Sequence, residues 1–195
     1  MERNIRYKVA AILGKTGSGK DSVFKAIQET DKIHKVISTT TRPPREYEEN
    51  GVDYNFIDRY DFLELDNRDQ FLDTSVFNGW YYGTNINDLQ EDKINVLISD
   101  NSRLLDLLTD PQVDTLIIFI ETTPKERLLR CLTREEDPDV HEIVRRYVAE
   151  EEDYDTKEFQ LINRYVRPAL TIPNHDGQLD EAVERTIAAL NHWAN

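Results

Sequence analysis

Cysteine is almost absent: Cys131 is the single one in 195 residues, so no internal disulfide can contribute to stability. Flanked by Leu128, Leu129 and Leu132, it reads as a small core residue and not as a nucleophile. Histidine is sparse too. His34, His141, His175 and His192 are scattered without ligand spacing, which argues against a structural metal site. Long apolar runs are missing: the longest, Leu116–Ile120, suits a buried strand and falls far short of the roughly 20 residues of a membrane span. Residues 1–15 carry no apolar signal core, so a cytoplasmic location and no membrane partner are expected. Basic charge is scarce, with Lys+Arg at 24 against Asp+Glu at 38 and a formal net charge of −14. That field repels nucleic-acid backbones, so a nucleic-acid polymer is not an expected partner and a small anionic ligand would need local basic clusters. The acidic stretch Glu150-Glu151-Glu152-Asp153 reads as a solvated helix face. Oligomeric state is left open.

A chain of this length can bury one sizeable core, and a single domain is expected. Apolar strand-like runs at 7–13, 94–99, 115–121 and 169–173 alternate with capped helical patterns, the signature of an α/β fold with a parallel sheet. Thr123, Pro124 and Glu126 form a start signal that predicts a helix over 123–134 with Leu128, Leu129 and Leu132 as its buried stripe. Leu179, Ala182, Val183, Ile187, Ala188 and Leu190, after the turn at 174–177, predict a final helix covering a sheet face. Residues 38–90 differ, with Pro43-Pro44, turn glycines Gly51 and Gly83, and short strand-like pieces at 53–57 and 71–77. They read as a small β-rich lobe inserted into a core of 1–37 and 91–195.

The sharpest motif follows the first strand. Gly14-Lys15-Thr16-Gly17-Ser18-Gly19-Lys20 stands directly behind Val9–Leu13 and satisfies G-x-x-x-x-G-K, the spacing of a loop whose backbone N–H groups cradle the phosphates of a nucleoside triphosphate while Lys20 reaches the β/γ-phosphates. ATP and Mg²⁺ are the implied ligands. The residue after Lys20, where a Ser or Thr ordinarily meets Mg²⁺, is Asp21, with a hydroxyl one place later at Ser22. Either Ser22 ligates the cation or Asp21 does so through a bound water.

A second constellation lies downstream. Ser38-Thr39-Thr40-Thr41-Arg42-Pro43-Pro44-Arg45 puts two guanidinium groups three residues apart on a proline-stiffened segment, a fork suited to a phosphate dianion. Gly51-Val52-Asp53-Tyr54 and Trp80-Tyr81-Tyr82-Gly83-Thr84 add tyrosines that can hydrogen-bond a phosphate. With these four motifs in this order the chain resembles the guanylate kinases over about residues 5–190. The resemblance implies a phosphate-loop NTPase type of parallel sheet flanked by helices, an inserted lobe that binds the nucleoside monophosphate, and a helical lid near 133–146. It also implies that Arg42, Arg45, Tyr54 and Tyr82 hold the phosphate of GMP, and that Ser38, Asp73, Thr84 and Asp100 read guanine. Asp73 stands where the family usually has Glu. Ile98 replaces the first acid of the family's D-x-D, and Ser102-Arg103 replaces its Q-G. Arg134 matches the lid arginine, and either Arg145 or Arg146 matches the arginine of the following helix.

The activity so implied is transfer of the ATP γ-phosphoryl group to GMP or dGMP. Lys20, Arg42, Arg134 and Arg145 or Arg146 would supply positive charge to the transferring group. Two alternatives stand beside it: a kinase of a different nucleoside monophosphate, motivated by Ile98 and Asp73, and a non-catalytic binding module of the same fold, against which the intact Gly14, Gly17, Gly19 and Lys20 argue.

Overall fold

The computed structural model describes residues 5–46, 48–134, 138–154 and 170–194. The strands are β1 (Tyr7–Leu13), β2 (Ile33–Lys35), β3 (Thr39–Thr40), β4 (Asn55–Phe56), β5 (Phe71–Phe77), β6 (Trp80–Asn85), β7 (Ile94–Ile98), β8 (Val113–Glu121) and β9 (Leu170–Pro173). The helices are α1 (Lys20–Ala26), α2 (Arg59–Asp66), α3 (Asn101–Thr109), α4 (Pro124–Thr133), α5 (Val140–Tyr154) and α6 (Leu179–Ala194). The expected α/β class is observed. A five-stranded sheet has the order β2-β7-β1-β8-β9, and a four-stranded sheet the order β4-β3-β6-β5.

By internal contacts the chain divides into two compact units, Met1–Ala10 with Glu29–Thr115, and Ala11–Gln28 with Leu116–Asn195. In the first, β2 pairs parallel with β7 through Ile33↔Ile94 and Lys35↔Val96. The β5–β6 hairpin is antiparallel, setting Asp73 opposite Thr84 and Ser75 opposite Tyr82, while β3 joins β6 antiparallel and β4 parallel. Fully buried Phe62 of α2 stacks on Phe71 at 4.4 Å between ring centroids and lies 5.4 Å from Tyr81. Burying such a ring contributes about 2–3 kcal/mol, which fastens α2 to the hairpin. Buried Asn95 has its amide satisfied, donating to the carbonyls of Lys8 and Gln90 and accepting from the Gln90 N–H.

In the second unit β8 and β9 pair parallel, from Ile118↔Leu170 to Glu121↔Pro173. Ile118, Ile120, Ile172 and Leu190 are wholly buried, and α6 packs on α1 and β9. Helix α4 starts as its sequence dictates. The Thr123 hydroxyl accepts from the Glu126 N–H and the Glu126 carboxylate accepts from the Thr123 N–H, a reciprocal cap. The hydroxyls of Thr122 and then Thr123, with His175 and the Asp176 N–H, hold the Glu126 carboxyl far below the ordinary carboxylate range.

The expected buried stripe of α4 needs correction: Leu129 is 47% exposed, and the residues buried on this helix are Arg127 and Cys131. The reason is the loop beside it, which requires a guanidinium.

Candidate functional site

Residues 14–19 turn from β1 into α1 in a conformation that depends on glycine. Gly17 and Gly19 have φ of +80° and +91°. A Cβ on Gly17 would strike the Arg127 carbonyl, and one on Gly19 the Asn174 amide, so an L side chain is excluded by backbone strain and by space. The loop's carbonyls are held from outside: Arg127 Nε donates to Thr16 O at 3.0 Å, Arg130 Nη1 to Gly17 O at 3.4 Å and Ser18 O at 3.3 Å, and Asn174 Nδ2 to Ser18 O at 2.9 Å. In a trans peptide the N–H opposes the carbonyl, so the N–H groups of Gly17 and Gly19 point away from these braces, while the Ser18 N–H donates to the Lys15 carbonyl at 3.0 Å. Such backbone donors at the entry to a helix suit an anion. The Ser18 hydroxyl, buried in the loop, has no hydrogen-bond partner among the described residues.

Arg127, Arg130 and Asn174 are absent from the expected site. The first two, at i and i+3 on α4, are legible only as a helix-surface pair, and Asn174 only as a turn residue.

The acidic stretch at 150–153 is expected to be a solvated face; Glu152 is exposed, but the structure corrects the expectation at Glu150 and Glu151. Glu150 Oε2 accepts from the Thr16 N–H at 2.6 Å, and its other oxygen takes the Thr16 hydroxyl. Glu151 bridges Lys15 Nζ and Arg127 Nη1, both at 2.5 Å. A helix turn places neighbours of opposite fate side by side, so part of a charge run can face inward. Burial raises the Glu151 pKa, but Lys15 and Arg127 outweigh it and the net shift is downward.

Lys20 Nζ lies 3.5 Å from Asp21 Oδ2. Desolvation pushes the Asp21 carboxyl up, and the charges of Lys20 and Arg134 with its own backbone N–H pull it down further, leaving it below its ordinary value. Asp21 is therefore a carboxylate at neutral pH. Ser22 is exposed beside it on α1.

In the other unit the strand pairings gather the predicted monophosphate residues. The Tyr54 and Tyr82 rings meet edge-on at 6.1 Å, and the Arg42 guanidinium lies 5.5 Å from the Tyr54 ring centroid. Arg42 Nη2 donates to Glu48 Oε1 at 2.8 Å, and Arg45 reaches the same carboxylate through its N–H at 2.8 Å and Nη1 at 3.5 Å. Glu48, 6% exposed, thus ties the two arginines together; nothing in the expected site named it, although it follows Arg45 by three residues. Desolvation raises the Glu48 pKa, yet the bonds from Arg42 and the Arg45 N–H bring it below the ordinary range.

Of the predicted base-reading residues, Asp73, Thr84 and Asp100 are gathered, the last through Arg103. Asp73 is buried on β5, its Oδ1 accepting from the Thr84 N–H at 2.9 Å. Its Oδ2, with the Thr84 and Ser75 hydroxyls, is buried without a hydrogen-bond partner among the described residues. Asp100 caps α3, accepting from the N–H groups of Ser102 at 3.0 Å and Arg103 at 3.2 Å. Ser38 is buried next to β3, its carbonyl accepting from the Asn55 N–H. Burial lifts the Asp73 carboxyl above its ordinary value, against the opposing pull of Arg103. At Asp100 the desolvation is overcome by Arg103 and Ser102, and the shift is downward.

Comparison with known proteins bears on all of this. The guanylate kinase family model matches residues 6–165. The chain belongs to the guanylate kinase family. Its curated relatives include a guanylate kinase of Schizosaccharomyces pombe, 31% identical over 130 residues, with 64% of this chain and 64% of that protein covered. A guanylate kinase of Chlamydia muridarum is 34% identical over 140 residues, covering 68% of this chain and 67% of its own length. The matched segment thus spans just under two thirds of the fission-yeast protein. Among solved structures, guanylate kinase from Anaplasma phagocytophilum matches with a TM-score of 0.62 at 19% identity, covering 97% of this chain and 87% of that one, which is a likeness of fold.

For this guanylate kinase family member the lid arginines are placed as follows. Arg134 is the exposed C-cap of α4; residues 135–137 of the expected lid lie outside the described residues. Arg145 is exposed and paired with Glu142 at 2.8 Å on its own helix. Arg146 is half-buried, and burial raises the Cys131 thiol pKa against the charges of Arg134, Arg146 and Arg127. Arg146 therefore shares an electrostatic neighbourhood with the loop-binding Arg127 that Arg145 does not. No helix among the described residues is long and apolar enough to cross a membrane.

Proposed function

We propose that this protein transfers the γ-phosphoryl group of ATP to GMP or dGMP, releasing ADP and GDP or dGDP. The observation that carries this reading is the buried Asp73 oxygen left without a partner, on the same hairpin face as Tyr82 and beside the Arg42–Tyr54 cluster. An unpaired buried carboxylate oxygen costs stability, and a base edge that donates N–H groups satisfies it. Guanine donates from both N1 and its 2-amino group, whereas adenine presents an acceptor at N1.

On this reading the N–H groups of Gly17 and Gly19 and the Lys20 ammonium bind the triphosphate, with Arg127, Arg130 and Asn174 holding the loop's carbonyls so that those donors stay aligned. Arg42, Arg45, Tyr54 and Tyr82 position the acceptor phosphate, with Glu48 bracing the two arginines. Arg134 and Arg146 supply cations to the charge that spreads over the transferring group, while Arg145 remains a surface pair. Phosphoryl transfer asks little covalent work of a protein and much positioning. Ionised Asp21 and the Ser22 hydroxyl are oxygen donors of the kind Mg²⁺ accepts, and they would hold it. Bound there, Mg²⁺ neutralises phosphate charge. A cytoplasmic setting, with small nucleotides and no nucleic-acid polymer as partners, belongs to the same reading.

The test is ADP release with ATP and Mg²⁺ against GMP, dGMP, AMP, CMP and UMP, using Lys20→Ala as the blank. Selective turnover with GMP or dGMP, reduced about 10³-fold in Lys20→Ala, is the expected result. Turnover confined to another monophosphate would overturn the guanine assignment. Absence of ATP binding by calorimetry in a folded protein would leave a binding module.

A further inference from the structure

Arg103 stands where the guanylate kinase pattern has a glycine, and it lies inside the cluster proposed to read the base. The side chain is 5% exposed. Its Nε donates to Asp100 Oδ2 at 3.0 Å, its Nη2 to the Ile98 carbonyl at 3.0 Å, and its Nη1 reaches Asp73 Oδ1 at 3.5 Å. A guanidinium is planar and permanently charged, so such a buried three-way engagement is rigid.

The consequence follows oxygen by oxygen. Asp100 Oδ2 is taken by Arg103, and Asp100 Oδ1 by the Ser102 and Arg103 N–H groups and the Ser102 hydroxyl. Asp73 Oδ1 is shared by the Thr84 N–H and Arg103. One carboxylate oxygen is left over, Asp73 Oδ2. The hydroxyls of Thr84 and Ser75 are equally unpartnered, and the hairpin register puts Asp73, Ser75, Thr84 and Tyr82 on one face. The guanine edge offers two donor groups, N1–H and the 2-amino group, and two free carboxylates would be matched to both.

We propose that Arg103 is a specificity-determining residue: it withdraws Asp100 and one oxygen of Asp73 from the base, so that the purine is selected by N1–H on Asp73 Oδ2 and the 2-amino group has no carboxylate of its own. This inference rests on the guanylate kinase reading above and sharpens it. Hypoxanthine, which keeps N1–H and lacks the 2-amino group, is then accepted nearly as well as guanine. AMP, with an acceptor at N1, is rejected.

The experiment compares GMP with IMP, both in kcat/KM and in calorimetric Kd, for the wild type and for Arg103→Gln, whose fold is checked by its melting transition. The wild type is expected to prefer GMP by no more than about tenfold, the scale of one ordinary hydrogen bond. Arg103→Gln frees Asp100 and should widen the preference to about 100-fold or more, toward the discrimination of a site whose buried polar groups go unpaired with the wrong ligand. A wild-type preference above about 100-fold overturns the proposal even if the variant does not fold. So does an unchanged ratio in a folded variant. Near-equal Kd values without turnover of either nucleotide would retain the role of Arg103 and remove the kinase reading, so the two failures are distinct.

Discussion

The two regions proposed to bind phosphate each hold a glutamate against their donors, and they do so in different ways. At the Arg42–Arg45 fork the glutamate is local: Glu48 follows Arg45 by three residues and is 6% exposed. At the phosphate loop it is remote, since Glu150 reaches Thr16 across 134 residues of sequence and is 19% exposed. A local glutamate shapes the segment that carries it. On the proposed function Glu48 acts as a positioning group for two arginines, while Glu150, carried on another helix, occupies a loop donor that a phosphate would take.

The contrast predicts opposite responses to substitution, and the largest effect comes from the cations that Glu150 and its neighbours accompany. Arg146→Ala should lower kcat about 10³-fold, the scale of a lost phosphoryl-stabilising arginine. Arg145→Ala should stay within about twofold, as expected of an exposed ion pair. Steady-state kinetics of the two variants decides which neighbour works in the phosphate-loop region, and equal losses would erase the distinction drawn from Glu142.

Next in size, Glu150→Ala should lower the KM for ATP about fivefold by removing a competitor for the Thr16 N–H. Glu48→Gln should raise the KM for GMP, because Arg42 and Arg45 lose their common brace. If both variants shift their KM values in the same direction, the two glutamates do the same thing and the comparison fails.

The smallest effect is in stability. Because the Glu48 pKa is lower folded than its ordinary value of about 4.3, its ion pair stabilises fully above that value and is lost as pH falls through the folded one. Glu48→Gln should thus cost about 2 kcal/mol at pH 7, with the gap to wild type closing in thermal melts as pH falls below about 4.3. Asp73 has the opposite sign: its raised pKa makes its ionised form a cost that grows as pH rises above about 3.9.

Legibility in the sequence followed the range of the interaction. The strand over 7–13 and the helix over 123–134 match Tyr7–Leu13 and Pro124–Thr133 because an apolar run and a cap are local signals. The expected strand at 53–57 shrinks to Asn55–Phe56, since its extent is set by pairing with β3, itself two residues long. The glycine loop was readable from its spacing, and the Arg42, Tyr54, Tyr82, Asp73 and Thr84 set was expected from the family resemblance. Glu150, Arg127 and Arg130 were not, because they meet the loop only through the packing of α4 and α5. Arg103 was visible as a departure, but a sequence alone does not say that a long side chain at a glycine position folds inward to two aspartates instead of outward to water.

The Glu150 contact also has a consequence in terms of mass action. A carboxylate carried by the same chain competes at an effective concentration fixed by the fold, and dilution of the protein does not change it. Every affinity measured at the Thr16 N–H is therefore a net one, its dissociation constant the intrinsic one divided by the share of molecules whose loop is open.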